Sequence, residues 1–226
     1  KEKGLMIAQL SHDIKTPLTS IQATVEGMLD GVIAADEQQY YLKTISRQTD
    51  RLNKLVEELS FITLNTMHEP DTPIEKEEIY LDKLLIDSMS EFQLVIDKED
   101  RDIRISVQPE SAKIISNYDK LSRLILNLVS NAFKYSEAGT KLTIDAAVDN
   151  KRLTLTVADE GQGIKSEDLE KIFKRLYRVE SSRNMKTGGH GLGLYIAREL
   201  AHQLGGDIFV QSEYGQGSSF SLVLDL

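Results

Sequence analysis

The sequence predicts a multi-domain chain of two classes: an all-α antiparallel helical hairpin forming a dimeric four-helix bundle, then an α+β sandwich built on a mixed sheet. Three observations predict it. Apolar residues step by four and three through the first third of the chain, as in a bundle seam. A short segment with two prolines and two acids follows, Glu69-Pro70-Asp71-Thr72-Pro73. Beyond it, short β-rich runs alternate with amphipathic segments to the end.

From Ile14 the apolar residues Leu18, Ile21, Val25 and Met28 mark the first helix. Gly31 and the stretch Val32 to Asp36 interrupt the pattern and read as a turn. Leu42, Ile45, Thr49, Leu52, Val56 and Leu59 resume the same steps. Two such helices on a short connection make an antiparallel hairpin. A lone hairpin leaves apolar surface uncovered, and pairing two of them into a four-helix bundle covers it. Residues 1–67 are therefore expected to form a homodimer. Proline removes backbone donors and disfavours helix in the residue before it, so residues 68–73 read as a linker.

Residues 74–226 make the second domain. Strands are expected at Ile103 to Val107, Lys113 to Ser116, Leu142 to Val148, Leu153 to Ala158, Ile208 to Gln211 and Ser219 to Leu224. Helices are expected at Leu81 to Ile96, Asp119 to Tyr135, Ser166 to Phe173 and Leu192 to Leu204. The strands on either side of Asp149-Asn150-Lys151-Arg152 form an antiparallel hairpin in this reading. Helices on one face of a sheet complete the sandwich.

Composition sets bounds. With 40% apolar and 28% charged residues, the chain is an ordinary globular protein. A net charge of −9 argues against a dedicated nucleic-acid binder, which needs a basic stripe to meet phosphates. There is no cysteine, which excludes disulfides, thiolate metal sites and cysteine nucleophiles. No run approaches the roughly 20 apolar residues needed to cross a bilayer, and no signal peptide is visible. The chain opens Lys1-Glu2-Lys3-Gly4, without methionine and already in a helical pattern, which points to a piece of something longer.

Five segments bear chemistry. In Ser11-His12-Asp13-Ile14-Lys15-Thr16-Pro17-Leu18, His12 falls off the apolar stripe and is expected in solvent, with Thr16 one turn later on the same face. A neutral imidazole is available near pH 7 and can act as a nucleophile. Pro17 brings no amide hydrogen to the carbonyl of Asp13, so the helix is expected to bend there. In Asn127-Leu128-Val129-Ser130-Asn131-Ala132-Phe133-Lys134-Tyr135, two amides and an ammonium share one helical face. Amide oxygens suit a hard cation such as Mg²⁺, and a lysine suits phosphate. Asp159-Glu160-Gly161-Gln162-Gly163 follows a strand, so a carboxylate at the strand end can accept from a base while the glycines admit close approach. Gly188-Gly189-His190-Gly191-Leu192-Gly193-Leu194 opens a helix, where free amides and a positive dipole end favour phosphate. Lys174-Arg175-Leu176-Tyr177-Arg178 places basic side chains before a polar stretch, Arg178 to Thr187, that reads as a flap.

Taken in order, these segments resemble the sensor histidine kinases over essentially the whole chain. Ser11 to Leu18 is similar to the H box, Asn127 to Tyr135 to the N box, and Asp159 to Gly163 to the first glycine box. Ile172 to Arg178 is similar to the F box, Gly189 to Leu194 to the second glycine box, and Gly215-Gln216-Gly217-Ser218 to the third. The resemblance implies a dimerisation and histidine-phosphotransfer hairpin followed by a Bergerat-type ATP-binding domain. It implies His12 as phosphoacceptor, Asp13 as the acid beside its ring, and Thr16 as a positioner of water when the partner is dephosphorylated. It implies Asn131 as an Mg²⁺ ligand, with Asn127, Lys134 and Tyr135 around ATP, and Asp159, with Gly161 and Gly163, at the adenine. Arg178 and Arg175 would meet the terminal phosphate, and Gly189, Gly191, Leu192 and Gly193 would line the phosphate site. A response-regulator receiver domain is the implied partner, and the chain would be the cytoplasmic portion of a membrane-anchored bacterial protein. Asp13, Lys15, Leu176 and His190 depart from the commonest pattern, where glutamate, arginine, phenylalanine and threonine are frequent. A related ATPase of the same superfamily, a phosphatase-dominant protein and a non-catalytic dimeric scaffold remain as alternatives.

Overall fold

The four-and-three spacing does produce two long helices. A computed structural model describes residues 2–67, 75–177, 179 and 191–226, and the chain divides into two units, Lys1–His68 and Glu69–Leu226. In the first, α1 (Glu2–Leu29) runs through Pro17 and packs against α2 (Gln38–Met67). The turn between them is held by the amides of Val32 and Ile33, both donating to the carbonyl of Gly27 at 3.0 Å. Gly31 occupies the left-handed region there, at φ 69°.

The hairpin covers only part of the predicted seam. Pro17 and Leu55 are buried, Leu55 completely. Ile14, Ile21, Met28, Ile45 and Leu52 are half-buried. Leu18 stays 52% exposed and Val56 56%, with Val25 and Leu42 also exposed. A helix in a two-helix hairpin meets one neighbour, so only part of a bundle-type apolar face is covered. The predicted linker, residues 68–73, lies outside the described residues.

The second unit carries a five-stranded mixed sheet in the order β2-β4-β5-β7-β6. Its strands are β2 (Asp102–Gln108), β4 (Lys141–Asp149), β5 (Arg152–Asp159), β6 (Gly206–Glu213) and β7 (Gly217–Asp225). β2 and β4 are parallel, and the remaining neighbours are antiparallel. A separate antiparallel ribbon joins β1 (Glu77–Tyr80) to β3 (Lys113–Ser116), with Ile79 opposite Ile114. Three helices pack on or beside the sheet: α3 (Leu81–Ser90), α5 (Tyr118–Tyr135) and α6 (Gly193–Gln203). Ile144, Leu155, Leu222 and Phe220 from the strands are buried, as are Leu124, Leu128, Ile196 and Leu200 from the helices. Each fully buried side chain of this size contributes about 2 kcal/mol.

Three elements differ from expectation. The helix expected over Leu81 to Ile96 breaks into α3 and α4 (Gln93–Glu99), and Phe92 at the break packs against Phe133 with ring centroids 5.1 Å apart. Ser166 to Phe173 is a short 3₁₀ turn, Ser166–Asp168, followed by further turns rather than a regular helix. Its second half is pinned by the buried Asp168, which accepts a hydrogen bond from the Tyr177 hydroxyl. β1 was not expected. Its alternation is too short, at four residues, to stand out before it pairs with β3.

Candidate functional site

Strand alternation decides where Asp159 points. On β5 the buried positions are Leu153, Leu155, Val157 and Asp159, so the carboxylate ends the row of core side chains. A charge placed there needs partners. It accepts from the Gly161 amide at 2.8 Å and from the backbone amide of Ser218. Burial pushes its pKa up, and the two amides and the Arg101 charge only partly offset that.

The loop after β5 is sewn to its surroundings on both sides. A Cβ on Gly161 would sit 2.3 Å from the Tyr135 carbonyl, so only glycine lets this loop touch the end of α5. The Gln162 amide donates to the same carbonyl at 3.0 Å. On the far side, Gly163 adopts φ 66°, and a Cβ there would meet the Glu213 carbonyl at 2.0 Å. We expect Gly163→Ala to cost at least about 2 kcal/mol from strain in the left-handed region, before any steric term. Urea unfolding checks this, and an unchanged midpoint would contradict the geometry.

The nucleating end of α5 is capped by Asn117, whose Oδ1 accepts from the Lys120 amide at 2.9 Å. Leu121, Leu124, Ile125, Leu128, Val129 and Ala132 form its buried face. That fixes the rotation of the helix and leaves Asn127, Asn131, Lys134 and Tyr135 half-buried along another face. The Lys134 ammonium lies 4.9 Å from the centre of the Tyr135 ring. Asn127 Nδ2 donates to the Arg123 carbonyl at 2.8 Å, and its Oδ1 lies where a Cβ on Gly193 would approach to 3.2 Å. Gly193 thus lets the start of α6 come up to α5.

At that start, Leu192 is fully buried. Gly191 accepts from the Leu176 amide at 3.0 Å, and Leu176 itself adopts φ 60°. Arg175 lies over the Tyr195 ring, 4.6 Å from its centroid, and donates to its hydroxyl. Arg198 lies over Phe173 at 5.0 Å and forms a two-pronged pair with Asp207 at 2.8 and 2.9 Å. Asp207 is held down to about 2, chiefly by that guanidinium.

In the first unit, the His12 side chain is 81% exposed. Its Nδ1 stands 3.6 Å from Asp13 Oδ1, ion-pair range but longer than a hydrogen bond. The Thr16 hydroxyl donates to the His12 carbonyl at 3.0 Å.

The structure therefore joins Tyr135, Asp159 and Gly161 in one contact set, with Gly163 two residues on seated against Glu213, and Asn127 with Gly193 in a second set on the same helix. His12, Asp13 and Thr16 sit together on α1. Arg178, Gly189 and the flap from Arg178 to Thr187 fall outside the described residues, save Val179. Sequence reasoning missed Arg101 and Tyr195. Arg101 lies in Glu99-Asp100-Arg101-Asp102, which reads as a solvated charge run.

The comparisons with known proteins agree with this layout. Residues 2–64 match the family described as the His Kinase A (phospho-acceptor) domain, and residues 116–226 match the histidine kinase-, DNA gyrase B-, and HSP90-like ATPase family. The chain is 37% identical over 228 residues to histidine protein kinase SaeS of Staphylococcus aureus, covering 99% of this chain and 64% of SaeS. The chain belongs to the sensor histidine kinases. This sensor histidine kinase chain also aligns with the histidine kinase AdeS of Acinetobacter baumannii at TM-score 0.76 and 25% identity, over 95% of this chain and 97% of that one. It shares its fold with ThkA, solved in complex with the response regulator TrrA, at TM-score 0.78 and 22% identity over 98% of this chain and 61% of that one. The unit with the sheet contains the ATP-binding domain of the family.

Proposed function

We propose that this chain is the catalytic portion of a sensor histidine kinase that uses MgATP to phosphorylate His12 and passes the phosphoryl group to an aspartate of a response regulator. The observation that carries this reading is the exposed His12 with Asp13 beside its Nδ1, in a chain that also holds the buried Asp159 carboxylate. With Asp13 nearest Nδ1, Nε2 is the ring nitrogen left to attack, and the carboxylate favours the tautomer protonated at Nδ1.

At the nucleotide site, Asp159 accepts from the amino group of adenine. Gly161 and Gly163 let the backbone approach the base, and Lys134 and Tyr135 border it. Amides at Gly191, Leu192 and Gly193 face the phosphates at the start of α6, with Gly189 ahead of them. Arg175, and Arg178 beyond it, neutralise charge on the transferred group. Arg175 is stacked on Tyr195, so the two must part before it reaches a phosphate. No group of three acidic or histidine side chains placed to hold a metal ion occurs among the described residues. An amide donor such as Asn131, completed by phosphate oxygens, fits a hard cation that binds few protein ligands. Mg²⁺ bound there would supply charge neutralisation between the phosphates. Phosphoryl transfer otherwise asks mainly for positioning.

The exposed Leu18, Val25, Leu42 and Val56 support a homodimer through the hairpin, since a second copy would cover them. Thr16, one turn from His12, supports a phosphatase activity toward the regulator. We read this portion as cytoplasmic, with membrane anchoring through segments outside it. Among the described residues no helix is long and apolar enough to cross a membrane. Fractionation of cells making the whole protein checks that placement.

The reading is tested by incubating the chain with γ-labelled ATP and Mg²⁺. Label that is lost in acid and survives base is expected. ATP hydrolysis without retained label would favour a related ATPase or a phosphatase-dominant protein, and failure to bind nucleotide would favour a scaffold. In Asn131→Ala, labelling should fall to background while the protein sediments as the same dimer as the wild type. Normal labelling in that variant would remove Asn131 from the metal site.

A further inference from the structure

Arg101 is a basic residue in an acidic surface run, yet its side chain is only 3% exposed. A buried guanidinium has five donors to place, and this one places them around the end of one helix. NH2 donates to the carbonyls of Phe133 at 3.2 Å and Ser136 at 3.0 Å. NH1 donates to the hydroxyls of Ser136 and Thr140. Nε donates to Glu99 at 2.8 Å, and the guanidinium carbon sits 5.0 Å from the centre of the Phe133 ring. Its own backbone is anchored too, with the Arg101 amide donating to the Ile96 carbonyl at 3.2 Å.

The two carbonyls it binds flank Tyr135. The Tyr135 carbonyl is the group against which the Asp159 loop seats, receiving the Gln162 amide and excluding any side chain at Gly161. The last carbonyls of a helix lack helical partners and leave its end free to fray. Here one cation holds that end on one side while the glycine loop presses on the other. A shift of the α5 terminus would move Lys134 and Tyr135 relative to Asp159.

We propose that Arg101 is a positioning residue of the nucleotide site, fixing the C-terminal end of α5 against the loop that follows Asp159 and so setting the distance between Lys134, Tyr135 and the Asp159 carboxylate. The inference rests on the reading of this site as a nucleotide site. Arg101 also acts on Asp159 at a distance, since its charge favours the ionised carboxylate. Removing the charge raises the Asp159 pKa further, so nucleotide binding that needs the carboxylate ionised is lost at a higher pH.

The test measures ATP affinity of the full 226-residue chain by calorimetry across pH, beside thermal unfolding, for wild type, Arg101→Met and Arg101→Lys. Arg101→Met is expected to weaken binding on the order of tenfold to a hundredfold, the effect of displacing contact groups by about an ångström. Its acid limb should also move to higher pH. Arg101→Lys keeps the charge without the planar fork, so it should restore the acid limb and leave affinity reduced. Should the methionine variant not fold, the lysine variant decides by affinity alone. If the folded variants unfold at lower temperature but bind with wild-type affinity and pH profile, Arg101 is merely structural and the proposal is overturned. Wild-type protein that binds no ATP overturns the nucleotide reading and this proposal with it.

Discussion

Replacing His12 with alanine is expected to abolish labelling from γ-labelled ATP while leaving nucleotide affinity and fold unchanged. The imidazole is 81% exposed and pairs at long range with Asp13 through Nδ1, so little packing is lost. Alanine is also the better helix former. Changes at exposed sites of this kind stay within about 0.5 kcal/mol. Loss of label thus reports chemistry and not unfolding. Gel quantification of acid-labile label, with circular dichroism on the same samples, makes the measurement. Acid-labile label retained by His12→Ala would falsify the assignment of the phosphoacceptor.

Asp159→Asn is expected to weaken nucleotide binding about 10- to 100-fold, from the roughly 1.5–3 kcal/mol of a hydrogen bond to a charged group. Asparagine keeps the size of the side chain but turns one acceptor into a donor. One oxygen with two lone pairs cannot accept from the Gly161 amide, the Ser218 amide and an incoming amino group together, whereas the carboxylate has acceptor sites for all three. Wild-type affinity should fall as pH drops through the raised pKa of Asp159, because protonation removes the charged acceptor. That dependence should be absent in the variant. Stability has the opposite sign. A carboxyl whose folded pKa is raised contributes stability below its unfolded value near 3.8 and loses it as pH rises through the folded pKa. At pH 7 the variant should therefore be no less stable than wild type through this group. Titration calorimetry with ATP and chemical unfolding, each across pH, separate the two effects. Equal affinity in both proteins at every pH would remove Asp159 from the adenine contact.

The legible part of the site lay on single elements. Asn127, Asn131 and Lys134 are placed on one face by helical period, and the apolar residues between them fixed which face turned inward. Asp159 at a strand end followed by two glycines was legible for the same reason: the strand period of two predicts its side. Arg101 was not legible. Its role exists only because the chain at 99–101 folds beside residues 133–140, more than thirty positions later. The stacking of Arg175 on Tyr195 likewise joins residues 20 positions apart.

By itself the sequence determined the period of each long helix, the alternation of each core strand, the glycine positions and the ordered set of motifs that mark a sensor histidine kinase. These depend on local backbone geometry and on which side chains avoid water, and both repeat along the chain. Tertiary structure alone decided how much of the hairpin seam is covered, where the helix after β1 breaks, and how Asp159 is held ionisable yet buried. Those outcomes depend on partners distant in sequence. Burial and hydrogen bonding are satisfied by whatever the fold brings close, and no local pattern specifies that neighbour.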